Sequence, residues 1–348
     1  MAGAPGRETH REILSQAEAW TATLVYLHEQ AEALRGWLSR PWSEVLITGC
    51  GSSYYLARAL AAIWQARTGT PARAVPSSEL WLFPDQVLPR SPALLVACSR
   101  SGETTETLRA LEVFRRSGRG QVLALTCRSD SSLAAAATRC LLAQGAAEQS
   151  VVMTRSFTSM LLLGAAAAAL AAGQETLLAQ MDVLPTLVAG VLTANGALAR
   201  RLGGDPTIER FVILGSGVNY GLACEATLKL QEMALVAAQA FHVLEFRHGP
   251  KAIVGSDLLV AGLVSEVARA HEATVLAEMQ ALGARVLVIA ESPEQLPADE
   301  RVALPAGLGD LVRAPLALPF LQLLAYERAV HRGIDPDHPV HLQPVVRL

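Results

Sequence analysis

The chain has 348 residues, half of them hydrophobic, a formal net charge of −3 and only two lysines, Lys229 and Lys251. A length above ~100–200 residues argues for two domains, and weak charge without a basic cluster gives no general attraction for nucleic acid. A small molecule or a second copy of the chain is the expected partner.

In chain order, residues 1–11 read as a loose polar arm without an apolar h-region, so no secretory signal is expected. Glu12 to Leu38 has helical periodicity, with Ile13, Ala17, Trp20, Leu24 and Leu27 on one face. Val45-Leu46-Ile47-Thr48 reads as a strand, followed by the loop Gly49-Cys50-Gly51-Ser52-Ser53 and a helix from Tyr54 to Arg67. Ala72–Val75 is a short strand, and Ala93-Leu94-Leu95-Val96-Ala97 a buried parallel one. Gln121–Thr126 and Cys140–Leu142 are further strands, and Thr154 to Ala171 is an apolar helix. The apolar stretch Met160 to Gly173 is too short for a bilayer, which needs ~20 residues, so no membrane span is expected. Five cysteines without CxxC or metal spacing suit reduced core thiols in a cytosol. Strands alternating with helices predict βαβ units and a parallel sheet covered on both faces.

The stretch Ser99-Arg100-Ser101-Gly102-Glu103-Thr104-Thr105-Glu106-Thr107 lies between a predicted strand and the periodic residues Leu108, Leu111, Val113 and Phe114. Helix-start N–H groups lack intrahelical partners and carry the positive end of the dipole, so they attract an anion. Ser101 or Thr104 could instead serve as an ordinary helix cap. A cap requires one hydroxyl and this stretch has five, which favours an anion site. The loop at 49–53 also leaves a strand's carboxyl end, where ligands bind in open α/β sheets.

The second half repeats the first. Val45–Tyr54 matches Phe211–Tyr220, keeping both glycines and the tyrosine. Leu94–Ala97 matches Leu258–Ala261, and Gln121–Leu125 matches Arg285–Ile289. The offsets of 166, 164 and 164 indicate a duplicated α/β domain, joined by a helical run from Leu178 to Leu202. After Val260-Ala261 the second copy reads Gly262-Leu263-Val264-Ser265, without the hydroxyl cluster. Gly49-x-Gly51 and Gly215-x-Gly217 lack the third glycine and the acid of a dinucleotide loop, which argues against a nicotinamide site.

Glu225-Ala226-Thr227-Leu228-Lys229-Leu230-Gln231-Glu232 reads as the opening of a helix, with Glu225, Lys229 and Glu232 on one face. Such a ladder is often a solvated surface, but the flanking sequence is strongly apolar, which favours a cleft-lining stripe. In Glu245-Phe246-Arg247-His248-Gly249-Pro250-Lys251 the Gly-Pro step marks a rigid turn. A lone histidine there is either structural or catalytic, since imidazole titrates near neutrality. HxxxH, HExxH and GxSxG are all absent. Hydroxyls for a phosphate, a carboxylate base and a histidine together suit proton transfer on a phosphosugar.

These residues resemble the sugar isomerase (SIS) domain family in its double-domain form. They are similar to the isomerase half of glucosamine-6-phosphate synthase and to AgaS-like amino-sugar-phosphate isomerases and deaminases. The resemblance rests on Gly49–Ser53, Ser99–Thr104, Val152-Met153-Thr154-Arg155-Ser156-Phe157, Glu225-x-x-x-Lys229-x-x-Glu232, His248-Gly249-Pro250 and Gly333–Pro339. It implies two tandem flavodoxin-like SIS domains, each a parallel sheet with helices on both faces. The implied layout is an arm at 1–19, domains at 20–175 and 195–333, a helical linker at 176–194, and a tail at 334–348 over the active site. It implies that Ser53, Ser99, Ser101 and Thr104 hold the sugar phosphate, with Ser52 and Arg100 beside them. Arg100 stands where the family often has glutamine and could strengthen phosphate binding by charge. Glu232 would move the proton between C1 and C2, and His248, often supplied by a partner subunit in the family, would assist ring opening. Lys229 and Glu225 would share that pocket. The synthases carry a tail lysine that forms a Schiff base, and Leu342-Gln343-Pro344-Val345 contains none. The activity implied is isomerisation of an amino-sugar 6-phosphate with loss of ammonia, by a cytoplasmic homodimer without metal or cofactor. The alternatives are a non-catalytic phosphosugar-binding regulator and a fructosamine-6-phosphate deglycase.

Overall fold

The computed structural model describes residues 5–348. The chain forms two compact units. The first gathers Ser15–Glu148, Met153–Pro185 and Gln343–Leu348, and the second the chain up to Leu14, Gln149–Val152 and Thr186–Leu342.

The first unit is built on a parallel sheet of β1 (Glu44–Gly49), β2 (Ala72–Pro76), β3 (Ala93–Cys98), β4 (Gly120–Thr126) and β5 (Arg139–Leu142), in the order β2-β1-β3-β4-β5. β3 is buried along its whole length because the sheet is covered on both faces, so its sequence is uninterruptedly apolar. Leu46, Leu95, Val122, Leu111 and Phe114 pack in one core cluster on one side. Full burial of each such side chain contributes about 1.5–3 kcal/mol. Leu108 and Val113, expected on the same helix face, are only partly buried at its edge. β1 pairs with β3 from Glu44↔Ala93 to Thr48↔Ala97, which sets their carboxyl ends side by side. There the strand order reverses, the usual place for a ligand in this topology.

The second unit repeats the plan with β6 (Arg210–Gly215), β7 (Ala237–Phe241), β8 (Leu258–Leu263), β9 (Arg285–Glu291) and β10 (Glu300–Leu304), in the order β10-β9-β8-β6-β7. The fold class is thus two flavodoxin-like halves. Duplication extends to backbone angles: Gly51 (φ 52, ψ −124) and Gly217 (φ 58, ψ −129) each precede a 17-residue helix, Ser52–Thr68 and Val218–Ala234. Both need glycine because φ is positive there.

Several expectations change. Pairing with β1 and β6 matches Leu94 to Leu259 rather than Leu258, so the middle strand carries an offset of 165. Six residues separate β3 from its helix and five separate β8 from its own, which restores 164 by the helices at Thr105 and Arg269. The described part of the N-terminal stretch is no loose arm: Arg7–Leu14 is helical, and the Glu8 and Thr9 N–H groups donate to Asp337. An orphan set of helix-start donors found a carboxylate distant in sequence, which periodicity does not register. A second helix, Gln16–Leu38, belongs to the first unit. The tail divides, 334–342 belonging to the second unit and 343–348 to the first. Glu225 does not open a helix, which starts seven residues earlier, at Val218. That helix ends at Leu235 in the left-handed region (φ 52), freeing the alanine-rich β7 to pair with β6. The helical run Glu175–Gly204 is long and apolar enough to cross a membrane by length and composition alone. It breaks at Asp182-Val183 and packs Leu184, Val188, Leu192, Ala199 and Leu202 into core.

Candidate active site

In the first unit, Ser52 and Ser53 start the Ser52–Thr68 helix and are 6% and 5% exposed. Across the sheet, Ser99 Oγ accepts from Gly102 N at 3.1 Å and lies 3.4 Å from Thr104 Oγ1. Ser101 Oγ accepts from Glu103 N at 3.1 Å. Gly102 has φ 67, and a Cβ there would meet Ser131 Oγ at 2.2 Å, so the loop closes only on glycine. Thr104 occupies the N-cap of the Thr105–Arg116 helix yet makes no capping bond through its side chain. An ordinary cap would use that hydroxyl. The loop therefore presents hydroxyls and helix-start N–H groups at one strand end, a donor set that fits an anion.

Arg100 is turned otherwise. Its guanidinium donates to Glu148 Oε2 at 3.0 Å, and the Glu148 side chain is fully buried. Glu148 also accepts from the N–H of Thr154 (2.6 Å) and of Ser156 (3.0 Å), in the Val152–Phe157 motif. The charge expected to grip phosphate is already partnered.

In the second unit, Lys229 and Glu225 are both 0% exposed on the Val218–Ala234 helix. Lys229 Nζ lies 3.3 Å from Glu225 Oε1 and 2.5 Å from Glu232 Oε2. Burial by itself pushes the ammonium down, but the two carboxylates outweigh it and hold the group above the ordinary lysine range. Lys229 is consequently a fixed cation, not an amine nucleophile. The Glu232 side chain is 20% exposed and marks the solvent end of the stripe. The stripe is a buried ion triad rather than a solvated ladder.

His248 follows a short 3₁₀ turn, Glu245–Arg247, and is exposed. Gly249 has φ 110 and is followed by Pro250, so the turn is rigid as expected. The His248 ring makes no hydrogen bond or ion pair among the described residues.

Residues 40–170 match the SIS domain family. The chain is 30% identical over 363 residues to the D-galactosamine-6-phosphate deaminase AgaS of Escherichia coli O157:H7, covering 97% of this chain and 93% of that protein. The chain belongs to the SIS domain family. This SIS protein is also 27% identical over 338 residues to the isomerizing glutamine–fructose-6-phosphate aminotransferase of Methanothermobacter thermautotrophicus. That match covers 92% of this chain but only 56% of the aminotransferase. The structure of tagatose-6-phosphate ketose/aldose isomerase from Escherichia coli superposes with a TM-score of 0.88 at 28% identity, covering 98% and 99% of the two chains. At the level of the family, this is a protein of the phosphosugar isomerases.

Two groups of carboxylates escaped the sequence reading of this SIS protein. One is Glu148, a lone acid just before the Val152–Phe157 motif. The other explains the missing hydroxyls of the second copy. There Ser265 N donates to Glu272 Oε2 at 2.7 Å, and Glu266 N to Asp310 Oδ2 at 3.0 Å. Burial pushes the Glu272 carboxyl up, while the Ser265 N–H and hydroxyl work against that shift. These N–H groups at the matching strand end are thus taken by the protein's own acids, and an entering anion would meet their charge. Calorimetric titration with a sugar phosphate is expected to give one site per chain, and a stoichiometry of two would contradict this account.

Proposed function

We propose that the chain interconverts the aldose and ketose forms of an amino-sugar 6-phosphate with release of ammonia. The observation that carries this reading is the Glu232 carboxylate, held by a fully buried ammonium and reaching the surface of its unit. A binding module needs no charge buried at that cost, whereas a base must be held and aimed. The Ser99–Thr104 loop, with Ser52 and Ser53, takes the 6-phosphate and supplies positioning energy remote from the chemistry. Glu232 removes the C2 proton of the open-chain amino aldose while water protonates O1, giving the enolamine, and returns the proton to C1 while the nitrogen gives up one proton to water. The resulting ketimine adds water and releases ammonia, leaving the ketose 6-phosphate. Glu225 and Lys229 form the buried support on which Glu232 rests.

His248, exposed and with a ring that makes no hydrogen bond among the described residues, is assigned to ring opening in a second copy of the chain, which makes the working species a homodimer. Subunit mixing tests this. If Glu232→Gln and His248→Gln are each inactive, a one-to-one mixture should recover about a quarter of wild-type activity through hybrid dimers with one intact site. No recovery after subunit exchange would place the histidine in its own chain's site.

The decisive assay incubates the protein with glucosamine, galactosamine and fructosamine 6-phosphates and follows ammonia and ketose phosphate. Tight binding of one without turnover of any would favour a regulatory phosphosugar-binding protein. For the loop, Ser101→Ala with Thr104→Ala should raise KM about 10-fold or more, as expected for losing two bonds to a charged group. Its kcat should change little, and an unaltered KM would remove the phosphate from this loop.

A further inference from the structure

The Arg100 guanidinium has partners at both ends of a connected path. One amino group meets buried Glu148, and the other donates to the Pro344 carbonyl at 3.3 Å. Beyond Pro344 the chain continues along the same loop. Thr105 N donates to Val346 O at 3.5 Å, and Leu348 N donates to Thr105 Oγ1 at 3.3 Å. The Arg347 charge lies near enough to Glu103 to help lower its carboxyl, after the larger effect of hydrogen bonds from Ser132.

What these residues lack is apolar burial. Val346 is 54% exposed and Leu348 69% exposed, so packing does not hold the strand of chain down. Its attachments are hydrogen bonds, and only the one through Arg100 leads to a buried opposite charge. Bonds of that kind are about twice as strong as neutral ones. The Glu148 end is immobile, since Thr154 and Ser156 also hold it at the start of the Arg155–Ala171 helix.

The geometry points to Arg100 as a positioning residue, a latch that seats residues 343–348 on the phosphate loop by bridging Glu148 to the Pro344 carbonyl. It acts on the sugar phosphate through this strap and not by direct contact. The Thr105 N–H belongs to the helix start that follows the loop, and the strap covers it. Arginine suits the task because its planar fork offers donors in two directions at once, which glutamine cannot match with charge. The kinetic part of this inference rests on the assignment of phosphate to the loop, while the structural part does not.

The test uses the full-length chain as wild type, Arg100→Gln and Arg100→Lys. Hydrogen exchange is followed at Thr105 and residues 345–348 without any ligand. Arg100→Gln should exchange there about 10-fold faster with the Arg155–Ala171 helix unaffected, a local opening rather than unfolding. Arg100→Lys, which keeps the charge beside Glu148, should restore most of the protection. In turnover, Arg100→Gln should raise KM several-fold with kcat within about twofold, the signature of altered binding rather than chemistry. Unchanged exchange at the strap would overturn the latch. So would faster exchange spread through the Arg155–Ala171 helix, which would make Arg100 a prop for Glu148. If no sugar phosphate is turned over, the exchange result still decides the latch, and only the phosphate assignment fails.

Discussion

Glu232→Gln is expected to lower kcat by roughly 10³-fold, within the range that loss of a positioned general base produces. The substitution keeps the side-chain volume, and its carbonyl oxygen can still accept from Lys229 Nζ, which now lies 2.5 Å from Glu232 Oε2. What disappears is the basic lone pair to which the proposed function assigns the C2 proton. KM should move by only a few-fold, because the proposed function assigns the phosphate to the Ser99–Thr104 loop and not to Glu232. Ammonia release from the best amino-sugar 6-phosphate measures kcat, and calorimetry with inorganic phosphate measures the other end. Wild-type turnover in this variant would sink the assignment of Glu232 as base. Loss of both turnover and phosphate binding would point to misfolding instead.

Lys229→Met should cost about 3–5 kcal/mol of stability, the usual penalty for stripping one partner from a buried ion pair. Methionine fits the apolar stem, but fully buried Glu225 loses the cation 3.3 Å away. Chemical denaturation of the two proteins gives the difference directly. Pairing the change with Glu225→Leu should recover most of the loss, because the uncompensated charge goes with it. The pH dependence has a definite sign. A lysine held above its ordinary range contributes stability that is full below that range and fades as pH rises through the folded value. The contribution of Lys229 is therefore undiminished at neutral pH, and its loss is expected only in the alkaline range. A cost below about 1 kcal/mol for Lys229→Met would mean that the triad is solvated in solution.

The six central strands, buried on both faces, were the plainest in the sequence, and the shorter edge strands β2 and β5 were also legible. β1, β3, β4, β6, β8 and β9 are short runs rich in Val, Leu, Ile and Ala bounded by glycine or polar residues, a length that suits a buried strand where the longer apolar run Met160–Gly173 suits a buried helix. β7 and β10 escaped; edge position alone does not hide a strand, since β2 and β5 at the edges of the first sheet are legible. Ala237-Ala238-Gln239-Ala240-Phe241 has helical propensity and becomes a strand only because β6 offers it a ladder. The Arg7–Leu14 helix was hidden for a similar reason, since its starting N–H groups are satisfied by Asp337, more than 300 residues away.

Within the candidate site, spacing alone determined that Glu225, Lys229 and Glu232 share a face, because 3.6 residues per turn leave no choice. It also determined that hydroxyls gather where a strand meets a helix at Ser99–Thr107, and that only the first of two copies keeps them. Burial was not so determined. Whether the charged stripe faced water or core depended on what packed against the helix, and the tertiary structure put Lys229 at 0% exposure. Arg100 and Glu148 show the same limit. An arginine in a phosphate loop reads as a ligand for phosphate, because sequence carries charge but not direction. The fold set a buried carboxylate 48 residues away within 3.0 Å of it, and Coulomb attraction in a desolvated place did the rest.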